Sequence, residues 1–330
     1  MPAKLIALLL ATALLWLGEP ARAATLMSAG SAKLLETRLI DIGGRRLNLI
    51  CIGEGSPTIV FDQAWGGTIL DWQYVQEEVS KLTRSCFYDR AGEGYSDPSA
   101  RPGTPQNATD DLRALIRRAG LGQRVVLVGH SLGGLHATVY TDRFFDEVAG
   151  LVLVDPAFAE MDDVALPEAD RAVVKRTQAA GVERMSACEA LAREGRLSLA
   201  EPHGCFRAGL PYYTSSEAAH VLPTFQRPER WAALRSQQGQ HRAAAPFARR
   251  WGDKPVVVLT RDKYAFPGLS AEAARSYEAS WKKGHVDLAA RSMRGRHQIV
   301  PNSRHYIQAE QPAAVVAAIR EVLAEVRDSR

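Results

Sequence analysis

Along the chain, short unbroken apolar runs alternate with stretches in which apolar residues recur every three or four positions. Residues 35–41 and 46–52 read as two strands around a Gly43-Gly44 turn, the composition of a hairpin. Apolar runs at 58–62, 124–128, 150–154 and 254–260 predict four more strands, and 85–88 and 296–300 are read as two others. These runs are continuous, not alternating, as in strands covered on both faces by helices. Helical spacing predicts helices at 71–82 (Trp72, Val75, Val79, Leu82) and 109–119, where Thr109 can cap and Leu112, Leu115 and Ile116 face inward. Two more follow at 131–145 and 312–326, the latter with Val315, Val316, Ile319 and Leu323. Strands alternating with helices predict an α/β architecture. The stretch from about 156 to 251 breaks this rhythm. It is rich in Ala, Glu and Arg, has helix-like pieces at 170–178 and 183–193, and contains no run that reads as a buried strand. It is expected to be a helical insertion over 157–251, with the core made of 24–156 and 252–330.

The first residues form a separate unit. Lys4 precedes an apolar run at 5–17, and Ala21-Arg22-Ala23 places small residues where a signal peptidase reads. This predicts a signal peptide over 1–23, cleaved after Ala23, and an exported chain, periplasmic or secreted. The run is shorter than the ~20 residues that span a bilayer, so no stable membrane insertion is expected after cleavage. The formal charge is +4, and the leader removes a net +1 through Lys4, Arg22 and Glu19. The remaining excess forms no Lys/Arg block, which argues against nucleic acid as a partner. The four cysteines are Cys51, Cys86, Cys188 and Cys205; an even number in an exported chain predicts disulfides, with three pairings open. No C-x-x-C pair suggests zinc or redox chemistry, and neither metal nor cofactor is expected.

Gly129-His130-Ser131-Leu132-Gly133 joins the run at 124–128 to the helix after it. The G-x-S-x-G spacing has a mechanical reason. The serine sits in a sharp, strained turn with its hydroxyl raised above the sheet, and the flanking glycines remove side chains that would strike the neighbouring strand and helix. The turn also places the Leu132 amide at a helix start, where it can meet an oxyanion. A serine hydroxyl needs a base to take its proton, and histidine suits working pH. Of the eight histidines, only His305 follows the last predicted strand.

The chain resembles the α/β-hydrolase superfamily across nearly all of the sequence after residue 23. The resemblance rests on Val-Leu-Val-Gly-His-Ser-Leu-Gly-Gly at 126–134, on Tyr88-Asp89-Arg90-Ala91-Gly92 with Gly94 and Ser96, and on Ser303-Arg304-His305-Tyr306 ahead of Gln311-Pro312. It implies a mostly parallel, twisted, eight-stranded sheet with helices on both faces and a helical lid after strand six. It also implies a serine–acid–histidine triad. The family places the acid after the seventh strand or, in some lipases, after the sixth. The common G-x-x-D pattern would put it where Tyr264 stands, so the sequence departs there. Asp262 lies two positions early, and Asp155 ends the sixth strand; Asp155 is preferred and Asp262 is the alternative. A second oxyanion amide is expected in Asp62-Gln63-Ala64-Trp65-Gly66-Gly67, from Trp65 by position, although the usual His-Gly pair is absent. Asp89 and Arg90 read as fixing the loop beside the site. The family's strand order implies a Cys51–Cys86 bond, leaving Cys188–Cys205 to staple the lid.

The implied reaction is hydrolysis of an ester in a small or acyl substrate. An aminopeptidase or amidase would need a lid carboxylate such as Glu160, Asp162 or Asp163 to hold a free amine. A dehalogenase or epoxide hydrolase would need aspartate where Ser131 stands. A non-catalytic binding protein on the same scaffold is the third reading.

Overall fold

The computed structural model describes residues 37–198, 203–205, 215–244 and 249–329. The expected leader at 1–23, with its cleavage point after Ala23, lies outside them. Eight strands form one sheet: β1 (Leu39–Asp41), β2 (Arg46–Ile52), β3 (Ile59–Asp62), β4 (Ser85–Tyr88), β5 (Val125–His130), β6 (Val148–Val154), β7 (Val256–Arg261) and β8 (Gly295–Val300). Their order is β1-β2-β4-β3-β5-β6-β7-β8. β1 and β2 pair antiparallel, as do β2 and β4, and every other pairing is parallel. The chain thus runs from β3 outward to β4, then returns past β3 to β5. Loops leaving β3 and β5 therefore diverge at a topological switch point, where open α/β sheets hold their ligands.

Both faces of the sheet are covered. Val126 and Val128 of β5, Val152 and Val154 of β6, and Val257 and Leu259 of β7 belong to one apolar cluster. Their neighbours Val125, Leu127, Leu151, Leu153, Val256 and Val258 belong to the other. Successive residues of a strand point to opposite faces, so a strand buried on both sides has no polar alternation to show. Helices α1 (Gln73–Ser80) and α8 (Pro312–Asp328) cover the first face through Val75, Val79, Val315, Ile319 and Leu323. Helices α2 (Pro105–Arg118), α3 (Leu132–Arg143) and α7 (Ala271–Ala289) cover the second through Leu112, Leu115, Tyr140 and Leu288.

Three elements differ from the sequence expectation. Helix α2 starts at Pro105, four residues before the expected cap: Thr104 accepts the Asn107 amide, and proline has no N–H to satisfy in the first turn. Thr109 is instead buried inside the helix, its hydroxyl donating to the Pro105 carbonyl at 2.8 Å. The two pieces expected at 170–178 and 183–193 are one helix, α4 (Glu168–Arg193). A single glycine, Gly181, costs a helix only about 1 kcal/mol, too little to split it. Helix α7 was not expected at all. Its buried positions are Ala273, His285, Leu288 and Ala289, too weakly apolar to register as a stripe.

Between β6 and β7 the described residues form α4, α5 (Ser215–Phe225) and α6 (Pro228–Gln237) and contain no strand. This segment grips the core by polar contacts. Arg227 donates to the carbonyls of Gly94 and Ser96, and Arg230 to that of Gly66, while the Gly103 amide donates to Ser236 Oγ. Cys51 and Cys86 lie opposite each other across β2 and β4 and are bonded; Cys188 of α4 is bonded to Cys205. Among the described residues, no helix is long and apolar enough to cross a membrane, and no group of three or more His, Cys, Asp or Glu could hold a metal ion.

Candidate active site

Ser131 occupies the turn between β5 and α3 with φ 53° and ψ −115°. A residue with a Cβ rarely adopts a positive φ, so the turn is held under strain. Packing enforces it. A side chain on Gly129 would collide with the backbone of Gly133, and one on Gly133 with the carbonyl of Asp62. The Ser131 amide donates to Val154 at 3.1 Å, and its carbonyl accepts from Ala157 at 2.9 Å. The elbow is therefore tied on both sides to the exit of β6. Leu132 opens α3, and its amide stands ahead of the first intrahelical hydrogen bond.

Asp155 follows β6, also at a positive φ of 43°, and is 0% exposed. Four donors surround its carboxylate. His305 Nδ1 lies 2.6 Å and Arg261 Nη1 2.6 Å from Oδ2; Trp281 Nε1 lies 2.9 Å and the Arg261 amide 3.3 Å from Oδ1. Burial alone would raise the pKa of this acid. The bond to and charge of His305, with the charge of Arg261, outweigh it and hold Asp155 well below the usual carboxylate range.

With Nδ1–H directed at Asp155, His305 has Nε2 turned elsewhere, and its side chain keeps 33% exposure. Its backbone carbonyl accepts from His130 Nε2 at 2.7 Å, while Gln308 Nε2 donates to His130 Nδ1 at 3.0 Å. Burial, reinforced by His305, holds His130 well below the ordinary imidazole range, so it is neutral with its proton on Nε2. The residue before Ser131 thus secures the loop of His305, the two rings being 4.7 Å apart. Among the described residues, no hydrogen bond joins the Ser131 hydroxyl to the His305 ring.

Asp262 stands elsewhere. Its carboxylate accepts the amides of Asn302 at 2.7 Å and Ser303 at 2.9 Å, bracing the loop that carries His305. The carboxylate brought to the imidazole is Asp155.

On the other side, Arg90 donates to the carbonyls of Gln63 at 2.7 Å and Ala64 at 2.8 Å, to Asp62 at 2.5 Å and to Glu93 at 2.8 Å. A trans peptide carries its C=O and N–H on opposite sides. Fixing the Ala64 carbonyl on Arg90 therefore turns the Trp65 N–H away from it. The Trp65 indole is anchored separately, donating to Leu234 of α6 at 3.0 Å. Asp89 accepts from Asn48 at 2.8 Å and from the Tyr95 amide at 3.1 Å. Of the acids between β6 and β7, Asp162 lies 3.1 Å from His241, Asp163 pairs with Arg242 at 2.6 Å, and Glu160 is exposed.

Sequence reasoning missed Arg261, Trp281, His285 and Gln308. Arg261 directly follows the apolar run of β7, but a search for acids passes over it. His285 is buried beside this centre, its Nε2–H donating to the Pro156 carbonyl at 2.8 Å and its Nδ1 accepting from Thr260 Oγ1 at 2.5 Å; burial pushes it down to about 4.

The sequence pattern of the alpha/beta hydrolase family matches residues 59–318. A haloalkane dehalogenase from Sphingobium indicum is 31% identical over 150 residues, which are 44% of this chain and 50% of the relative. The matches span between 15% and 50% of the curated relatives' own lengths. Among solved structures, an epoxide hydrolase, CorEH, superposes with a TM-score of 0.64 at 15% identity, covering 88% of this chain and 99% of the other. An esterase from Thermogutta terrifontis superposes with a TM-score of 0.59 at 21% identity, again covering 88% and 99%.

Proposed function

Since this chain belongs to the alpha/beta hydrolase family, we propose that it is an exported serine hydrolase that cleaves an ester through an acyl-enzyme intermediate. The observation that carries the reading is the 2.6 Å contact between His305 Nδ1 and Asp155, beside a serine at positive φ.

Ser131 Oγ attacks the substrate carbonyl carbon as His305 Nε2 takes its proton, a bond that forms in the substrate complex. Asp155 orients the ring and stabilises the imidazolium. The Leu132 and Trp65 amides receive the negative charge on the carbonyl oxygen, each worth on the order of 3 kcal/mol. Collapse of the tetrahedral species expels the alcohol, which leaves with the proton from His305. Water then attacks the acyl-serine, His305 again taking the proton, and the acid departs with Ser131 restored.

The dehalogenase and epoxide hydrolase likenesses do not transfer. Attack of a serine on a saturated carbon would leave an ether, which activated water does not cleave; a carboxylate nucleophile leaves an ester, which it does. An amidase reading is weaker, because Asp162 and Asp163 already face His241 and Arg242. Two disulfides support export.

A panel of p-nitrophenyl esters and aminoacyl anilides tests the reading, with Ser131→Ala as control. Ester turnover lost in the variant, with fluorophosphonate labelling of Ser131, is the expected result. Turnover that survives Ser131→Ala would overturn it. Export predicts a mature protein beginning at Ala24, read by N-terminal sequencing.

A further inference from the structure

β7 ends at Arg261, whose side chain turns into the site and is only 12% exposed. Its guanidinium lies over the rings of Tyr264 and Trp281, 4.4 Å and 4.8 Å from their centroids. Nη1 donates to Asp155 Oδ2 at 2.6 Å, the same oxygen that His305 Nδ1 approaches at 2.6 Å. Nη1 is also 2.9 Å from Nδ1 itself. These two nitrogens cannot bond each other while both donate to one oxygen. Toward His305, then, Arg261 acts as a neighbouring positive charge. Toward Asp155, it is an anchor that does not depend on the base.

The other groups around the ring leave this charge unopposed except by Asp155. His130, at the end of β5, is kept neutral by burial, and so is His285 of α7 near neutral pH. The Trp281 and Tyr306 rings lie 6.3 Å and 5.8 Å away. On the loop of His305 itself, Arg304 is paired with Glu310, and Asp262 is turned to backbone amides.

We propose that Arg261 is a positioning residue that fixes Asp155 and offsets its pull on the proton that His305 takes from Ser131. The inference rests on the reading of Ser131, His305 and Asp155 as the hydrolytic machinery. Its functional consequence is a base that stays available at lower pH than an Asp–His pair without the arginine would allow.

The test is kcat/KM against pH for ester hydrolysis by the full, disulfide-bonded protein and its Arg261→Met and Arg261→Lys variants. Removing the cation lets Asp155 hold the imidazolium unopposed. The acid limb of Arg261→Met should therefore rise by about one pH unit. Arg261→Lys, which keeps the charge, should leave the limb where it is. If Arg261→Met folds but turns over too slowly to profile, NMR titration of the His305 ring reads the same shift. An unmoved limb in Arg261→Met, or an equal rise in Arg261→Lys, overturns the proposal. Arg261→Gln repeats the test if the methionine variant does not fold. If neither neutral variant folds, Arg261 serves the fold rather than the base, and the proposal falls. Loss of turnover in Ser131→Ala with an unmoved limb sinks the role of Arg261 alone, whereas turnover that survives Ser131→Ala sinks the underlying reading.

Discussion

Two buried carboxylates flank Ser131, and their surroundings are closely alike. Asp155 leaves β6 and meets Arg261, Trp281 and His305; Asp62 ends β3 and meets Arg90, Tyr88 and His136. Each is buried, each pairs with an arginine, and each contacts a histidine. At both, burial opposes ionisation and is outweighed, at Asp62 chiefly by the charge of Arg90 and the bond to His136. The difference lies in access. His136 sits on α3 with a side chain 1% exposed, whereas His305 keeps 33%. A carboxylate, a histidine and an arginine in one cluster do not by themselves make a reactive centre. The imidazole must have a nitrogen that a substrate can reach. The Asp62 cluster instead holds the loop after β3 in place, through Arg90 on Asp62 and on the carbonyls of Gln63 and Ala64.

The comparison can be broken most directly at the serine. Ser131→Ala should lower kcat/KM on the order of 10⁴-fold or more while leaving thermal unfolding nearly unchanged. Asp155→Asn should cost on the order of 10⁴-fold in kcat, since the amide favours the wrong imidazole tautomer. Asp262→Asn should cost no more than about tenfold, because Asp262 braces a loop and does not meet the ring. Comparable losses in the two variants would erase the distinction between them.

On the scaffold side the expected loss is in stability. Arg90→Met strands Asp62 and Glu93 and should lower unfolding free energy by about 3–5 kcal/mol, measured by urea denaturation. Asp89 sharpens this further, because burial raises it to about 6. An acid raised on folding binds more protons folded than unfolded. Its contribution is therefore favourable in acid and is lost as pH climbs from about 4 to about 6. Asp89→Asn should gain on the wild type by roughly 3 kcal/mol over that interval, and parallel pH–stability curves would refute it. The smallest effect is expected at the indole. Trp281→Phe removes one of four donors to Asp155, and kcat should fall about fivefold, near the 1 kcal/mol of a single hydrogen bond.

Much of this was legible along the chain because its causes are local. Continuous apolar runs mark strands buried twice. Gly129 and Gly133 leave room for the serine turn, and their spacing alone shows it. His305 follows the last strand. Helix α7 escaped because its inward positions include Ala273 and His285, which carry little hydrophobic signal, although Ser270 does cap its start. The acid stayed open between Asp155 and Asp262 because each follows a strand of the same sheet, and chain order does not say where a carboxylate points.

Which one meets His305 depends on contacts between residues 150 positions apart. The four donors around Asp155 come from β7, α7 and the loop after β8, and no spacing rule links them. Periodicity and turn chemistry act over a few residues, so the sequence alone marked the strands, the tight turn at Ser131 and the place of His305 after the last strand. Charge and hydrogen bonding act through space, so only the folded chain decided which carboxylate meets His305, the arginine beside it and the network that holds the loop after β3.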